Sequence, residues 1–239
     1  MILKAYFELL TNDAKASRQT INQLPNSGVS NNFINNIKGK LALKDRNFKE
    51  AIVNFTSVYG ARPTGSNAMQ LARAFKFNNQ QADAINLLEE YILIQQQDHR
   101  IRLFLAELYA SFDYKKAIEH FEILHKNLEN NVMILNNLAW LELQILNLKK
   151  GIYYAEQAFQ LAPKDNNLLD TYSTLLIEAK EFKKAIIILE SAIQYKEVVD
   201  AIYINLAKAY IAVGQKTKLD DLLKAINSQS AKDRIEQLL

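Results

Sequence analysis

The chain has 239 residues, of which 49% are apolar and 23% are charged, with only six Gly and three Pro. This composition excludes a disordered or collagen-like chain and favours an ordered, helical protein. The formal charge of +3 is far below the cationic excess of a dedicated nucleic-acid binder, so we expect no nucleic-acid partner. Because the sequence contains no Cys, disulfides, thiolate nucleophiles and Cys-ligated metals are excluded from these residues.

The first ten residues, MILKAYFELL, lack the long apolar region and the cleavage site of a secretory signal. No stretch reaches the roughly 18 to 20 apolar residues that a membrane-spanning helix needs. We therefore expect a soluble chain that does not insert into a membrane, and we expect any export signal to lie outside the given residues. Residues 1–31 are predicted to form a partial helical hairpin that ends at Pro25.

Small residues recur along the rest of the chain with a period of about 34 residues. The first column consists of Gly39, Ala72, Ala106, Ala139, Ser173 and Ala207. The second column follows the first at a nearly constant distance and consists of Ala51, Ala84, Ala117, Gly151 and Ala185. Apolar residues flank both columns at helical spacing, and turn-forming residues separate them. Each unit is therefore predicted to be two closely packed helices joined by a turn, and no strand is predicted.

The period divides the chain into repeated units. Six units are predicted within residues 32–233, with starts near residues 32, 65, 99, 132, 166 and 200. Residues 234–239 are predicted to begin a capping helix that covers the last apolar face. We expect these parts to form one continuous domain.

The fourth unit resembles the tetratricopeptide repeat, a two-helix unit of about 34 residues. Leu138 and Ala139 match its large and small pair in the first helix, Gly151 and Ala158 match its small sites in the second helix, and Pro163 matches its final proline. The resemblance covers nearly the whole chain, although Glu142 stands where the family has an aromatic residue. It implies an all-α, right-handed α-solenoid of about six full repeats plus a partial N-terminal one.

The resemblance also implies that one face of the first helix of each unit lines a concave groove that binds a partner. The residues expected in this groove are Asn36, Lys40, Met69, Arg73, Lys76, Arg100, Leu103, Asn136, Trp140, Leu143 and Asp170. Cations dominate the first half of this set, and the second half is more apolar. A groove of this kind suits a protein segment that carries acidic groups beside apolar anchors. The alternative is that the basic cluster is an ordinary solvated face.

No residue pattern in the sequence indicates catalysis. His120 and His125 are separated by a spacing that does not place them on one helical face as a metal pair requires. The six Gly residues form no phosphate-binding motif, and no nucleophile motif is found. We therefore predict a protein that is not an enzyme, with no cofactor and no metal.

The leading hypothesis is a noncatalytic scaffold that binds a protein or peptide segment. The C-terminal part of the chain is similar to bacterial repeat lipoproteins of exosortase (PEP-CTERM) and exopolysaccharide systems. This similarity implies that the protein is located in the bacterial cell envelope or periplasm. If the similarity does not hold, we expect a cytoplasmic protein. One alternative is direct binding of an acidic polysaccharide or another polyanion by Lys40, Arg73, Lys76 and Arg100. A third hypothesis is a regulatory module of a larger protein.

Overall fold

The computed structural model describes residues 1–11, 13–23, 31–195 and 197–239. These residues form α-helices joined by short turns, and no strand is found among them, which confirms the all-α prediction. Pro25, the predicted end of the first hairpin, lies outside the described residues. No helix in the described ranges has the length and apolar character needed to cross a membrane.

The chain folds as two compact units, Met1–Leu108 and Tyr109–Leu239. The helices of the first unit are α1 (Ile2–Leu10), α2 (Ala14–Asn22), α3 (Asn31–Lys44), α4 (Phe48–Ala61), α5 (Gly65–Phe77), α6 (Gln81–Ile94) and α7 (His99–Tyr109), whose last residue begins the second unit. The helices of the second unit are α8 (Tyr114–Asn127), α9 (Val132–Gln144), α10 (Leu148–Leu161), α11 (Asn166–Glu178), α12 (Phe182–Ala192), α13 (Asp200–Ala212), α14 (Lys216–Ala225) and α15 (Gln229–Glu236).

The helices alternate between two roles, which we name A and B. The A helices are α3, α5, α7, α9, α11 and α13, and the B helices are α4, α6, α8, α10, α12 and α14. In the first unit α3 to α6 pack in succession, and in the second unit α8 to α13 do the same. The A helix α11 also contacts both α9 and α13 directly, so these successive hairpins of the second unit are stacked on one another.

The small residues lie buried where neighbouring helices pack against one another. Ala72, Ala139 and Ala185 are fully buried. A Cβ added at Gly39 would lie 2.6 Å from a ring carbon of the buried Phe55. A Cβ added at Gly151 would lie 2.6 Å from a methyl carbon of Leu175 and 3.3 Å from the carbonyl oxygen of Ala139. Larger side chains in these columns would force the helices apart.

Side chains at the turns determine where several helices begin. Each accepts a hydrogen bond from a backbone N–H of the first turn, which has no partner within the helix. The capping residues of this kind are Asp13, Asn47, Thr64, Asp113, Asn131, Asp165 and Ser228. Ser228 also donates to Asp200 at 2.8 Å, and it begins the helix α15 that packs on α13 and buries Ala231 and Ile235.

The turns from A to B helices share one backbone feature. Each of the five turns named here contains a residue in the left-handed region, with φ between 57° and 72°. These residues are Arg46, Asn79, Leu146, Lys180 and Gly214. Only glycine adopts this conformation without steric cost, since other residues place Cβ against the following carbonyl oxygen. Four of the five turns therefore retain some backbone strain.

We predict that Leu146→Gly raises the free energy of unfolding by about 0.5 to 1 kcal/mol. The side chain of Leu146 is 74% exposed, so its removal costs little packing. Equilibrium urea denaturation measures the change. Gly214→Ala is the converse control and should lower stability by a similar amount, because Gly214 has a φ of +72°. A lower stability for Leu146→Gly would show that this turn is not strained.

Candidate functional site

The predicted groove residues are distributed over both units. The first unit contains Asn36, Lys40, Met69, Arg73, Lys76, Arg100 and Leu103, and the second contains Asn136, Trp140, Leu143 and Asp170. All of them lie on A helices. We name this set the A-helix face and describe it separately in each unit.

In the first unit, the A-helix face includes part of a cleft of about 390 Å³. Asn36 and Lys40 line this cleft, and the amide nitrogen of Asn36 donates to Oε1 of Gln70 at 3.3 Å. Phe33 and Tyr6 form an aromatic wall, with ring centroids 5.8 Å apart. The cleft therefore combines amide groups, one ammonium group and aromatic rings, which is suited to a segment with mixed polar and apolar groups.

Three cations of this face lie over aromatic rings. The Nζ atom of Lys40 is 5.0 Å from the centroid of the Tyr6 ring. The guanidinium of Arg73 and the Nζ atom of Lys76 are 5.7 and 5.8 Å from the centroid of the Phe104 ring. None of the three cations forms an ion pair within the part of the chain that the structure describes. The rings orient the cations while leaving their charge uncompensated by a carboxylate.

The other predicted residues of the first unit have different surroundings. Arg100 lies 3.7 Å from a carboxylate oxygen of Asp98, and its side chain is largely exposed. Met69 and Leu103 are partly buried on α5 and α7. Arg100 is therefore an ion-paired cation, unlike the three that lie over aromatic rings.

In the second unit, Trp140 is the exposed aromatic residue of the A-helix face. Its side chain is 38% exposed, and its ring lies edge-on to Tyr114, with centroids 5.9 Å apart. Leu143, one turn further along α9, is partly buried. The Oδ1 atom of Asn136 is buried and has no hydrogen-bond partner among the described residues. An apolar surface and an amide acceptor thus lie on the same helix.

Asp170 has a structural partner instead of an open environment. Its Oδ1 accepts a hydrogen bond of 2.9 Å from the amide nitrogen of the buried Asn205. The same nitrogen approaches Ser173 Oγ at 2.9 Å and Thr174 Oγ1 at 3.2 Å. These contacts join α11 to α13 and tie Asp170 to the packing of two neighbouring A helices. Nothing in the sequence pattern singled out Asn205.

A ladder of ion pairs joins neighbouring B helices of the second unit. Its rungs are Lys150–Glu122, Lys184–Glu156 and Lys218–Glu190. The hydroxyl groups that donate to the same carboxylates belong to Tyr154, Tyr172 and Tyr210. The glutamates and the lysines each recur at the spacing of the repeat, so the sequence contains a signal for the ladder that the columns of small residues do not show.

The ladder shifts the pKa of its members. The hydrogen bond with Glu156 raises the pKa of Lys184 to about 12, and the hydrogen bond with Lys218 lowers the pKa of Glu190. Burial raises the pKa of Tyr154 to about 12. The stabilisation from Lys184 is complete below its ordinary pKa of 10.5 and is lost as the pH rises through about 12. The ladder is therefore intact at neutral pH.

Lys150 has a second partner that explains the unusual Glu142. The carboxylate of Glu142 is 1% exposed, and it lies 3.1 Å from the Nζ atom of Lys150. The amide nitrogen of Asn147 also donates to it at 2.8 Å. A charged group is tolerated at an aromatic position of the repeat because a cation and an amide both reach it.

We predict that Lys150→Met lowers the free energy of unfolding by about 2 to 3 kcal/mol, since it leaves a buried carboxylate without its cation. Lys184→Met is the matched control, because it breaks a half-exposed rung with no buried carboxylate and should cost about 0.5 to 1 kcal/mol. Denaturation in urea at neutral pH compares the two variants. The double variant Lys150→Met/Glu142→Gln should recover most of the loss. Equal losses in both single variants would contradict this role of Glu142.

Within each of the two compact units, the arrangement defines a class of protein: two-helix repeats that pack in succession, with exposed side chains on their A helices. Among the described residues, no three or more potential metal-binding side chains come together. The sequence matches no family model and no curated protein. Solved structures do match it.

Three of these structures illustrate the likeness. The C-terminal part of a tetratricopeptide-repeat-containing protein from Cytophaga hutchinsonii has a TM-score of 0.79 at 12% identity, over 98% of this chain and 99% of that chain. A tetratricopeptide repeat protein from Parabacteroides merdae has a TM-score of 0.66 at 16% identity, over 98% and 96%. PilF of Pseudomonas aeruginosa has a TM-score of 0.62 at 12% identity, over 87% and 98%. The chain therefore has the tetratricopeptide-repeat fold, which confirms the resemblance of its sequence to the tetratricopeptide repeat.

Proposed function

We propose that this protein is a noncatalytic interaction scaffold that binds a protein segment along the A-helix face. The observation that carries the proposal is the state of Lys40, Arg73 and Lys76, whose cations lie over aromatic rings and have no carboxylate partner within the described ranges. Such cations are available to the acidic groups of a partner. The division of the chain into six repeats of one continuous domain is part of the same proposal.

The surroundings of these cations favour a protein segment over a simple anion. In the first unit the cleft beside Lys40 has amide groups and aromatic walls, which suit a backbone and its side chains. In the second unit Trp140 and Leu143 provide apolar contact area, and exposed aromatic residues are frequent anchors in interfaces. The partner segment is expected to combine acidic residues with apolar anchors.

We predict that Lys40→Gln/Arg73→Gln/Lys76→Gln weakens the binding of an acidic partner peptide by about tenfold or more. Peptides with acidic and apolar residues would be selected on the wild-type chain from a display library, and their affinities measured by fluorescence anisotropy. Emission from Trp140, the single tryptophan, would report contact with the second unit. Trp140→Ala should weaken the peptides that change this emission.

The matched control is Lys38→Gln/Lys44→Gln/Lys49→Gln, which removes three exposed lysines of the first unit that lie outside the A-helix face. It should change affinity by less than about twofold, because scattered surface charges contribute little. Equal weakening by both triple variants, or no effect of the first, would reject the proposed site.

Direct binding of an acidic polysaccharide is the second candidate, and the same unpaired cations favour it. The affinity for a polyanion falls steeply with salt concentration, whereas binding through apolar anchors depends on it weakly. A steep salt dependence combined with no effect of Trp140→Ala would favour the polysaccharide.

Two finer hypotheses complete the proposal. A role in bacterial exopolysaccharide or envelope assembly rests on the resemblance of the C-terminal part to exosortase-associated repeat lipoproteins. A role as the regulatory module of a larger protein rests on the absence of a catalytic pattern from the sequence. In both cases the A-helix face would hold the partner.

A further inference from the structure

A second surface of the second unit carries lysines whose position has no structural explanation. Lys115, Lys149 and Lys183 are the second residues of the B helices α8, α10 and α12. All three are exposed, and within the described ranges their ammonium groups form no ion pair or hydrogen bond. They recur at the spacing of the repeat. Because the ion-pair ladder joins α8 to α10 and α10 to α12, the three lysines follow one side of the stack.

These lysines oppose the helix dipole. The N-terminus of a helix carries a partial positive charge, so a cation in the first turn destabilises the helix. The next residues, Lys150 and Lys184, offset this cost through Glu122 and Glu156 in the ladder. The three lysines at the second position have no such compensation. A bound anionic group would compensate both the lysines and the adjacent helix N-termini.

Exposed apolar side chains lie one helical turn beyond two of these lysines. Tyr153 follows Lys149 and is 57% exposed, and Ile187 follows Lys183 and is 69% exposed. The corresponding position on α8 is Glu119, so the apolar part is confined to α10 and α12. The face of α10 also contains a cleft of about 550 Å³. Its lining includes Lys149, Ile152, Tyr153 and Glu156.

We propose that this surface docks an acidic, amphipathic protein segment, separately from the segment bound on the A-helix face. We name it the B-helix lysine face and define it by Lys115, Lys149, Lys183, Tyr153 and Ile187. Carboxylates of the segment pair with the lysines, and an apolar side chain enters the cleft on α10 beside Tyr153. The charge pattern and the apolar patch are thus matched by one partner that carries both features.

Two other anionic partners fit this surface less well. A polysaccharide or a nucleic acid would pair with the lysines but would leave Tyr153 and Ile187 exposed. An anionic membrane surface would contact both lysines and apolar groups, yet a smooth lipid surface does not enter a cleft on α10 as an apolar side chain does. In the test, poly-glutamate represents a polyanion without apolar groups, and anionic vesicles represent a membrane surface.

The test uses the whole chain and a display library of helical peptides with acidic residues on one face and Leu on the adjacent face. The peptides retained are those that do not compete with ligands of the A-helix face and whose binding does not depend on Lys40, Arg73 and Lys76. We expect Lys115→Gln/Lys149→Gln/Lys183→Gln to weaken their binding by about tenfold, and Tyr153→Ser/Ile187→Ser to do the same. Poly-glutamate and vesicles of phosphatidylglycerol and phosphatidylcholine in equal parts are measured alongside.

The matched control is Lys126→Gln/Lys208→Gln/Lys232→Gln, which removes the same charge from the second unit at positions outside this face. It should alter affinity by less than about twofold. The proposal is overturned if no library peptide binds in this way, if both lysine triples act equally, if poly-glutamate binds as tightly and ignores the apolar variant, or if only vesicles bind. Loss of binding to the A-helix face alone would reject the proposed function and leave this inference standing.

Discussion

The close approach of paired helices at small residues is the constraint on which this structure depends. At Gly151 a single added carbon would meet both Leu175 and the backbone of Ala139. Helices that pack at this distance share their apolar faces within a hairpin and with the next hairpin. A single two-helix hairpin is therefore not stable alone. The left-handed turn residues and the capping side chains then fix where several of the helices begin and end. The repeated packing of the helices therefore determines which side chains are exposed on the A-helix face and on the B-helix lysine face.

Stacking with a fixed period also determines how charge is used. In α10, α12 and α14 the third residue is a lysine that pairs with a glutamate of the preceding B helix, as Lys184 does with Glu156. In α10 and α12 the residue before it, Lys149 or Lys183, is exposed and has no partner among the described residues. On the A helices of the first unit, Lys40 and Arg73 lie over rings instead. One repeat pattern thus separates charges that stabilise the stack from charges that remain available to partners.

The sequence predicted the helical repeat because small residues at a constant spacing report packing directly. It did not predict the environment of single side chains, which depends on neighbours distant in sequence. Glu142 looked like a departure from the repeat, and only its burial beside Lys150 and Asn147 explains it. Asp170 seemed available for binding, yet it accepts a hydrogen bond from Asn205. The sequence did not predict that Arg73 lies over the ring of Phe104, since the repeat pattern does not show which ring a cation will approach.

The most direct test of whether small residues set the helix spacing is to compare the free energies of unfolding of Ala139→Leu and Ala212→Leu. Ala139 is fully buried in the column of small residues, whereas Ala212 is exposed at the end of α13. Urea denaturation should show a loss of about 1 to 3 kcal/mol for Ala139→Leu, because the added atoms overpack the contact between α9 and α10. The change for Ala212→Leu should stay within about 0.5 kcal/mol. Equal stability of the two variants would contradict the claim that small residues set the helix spacing.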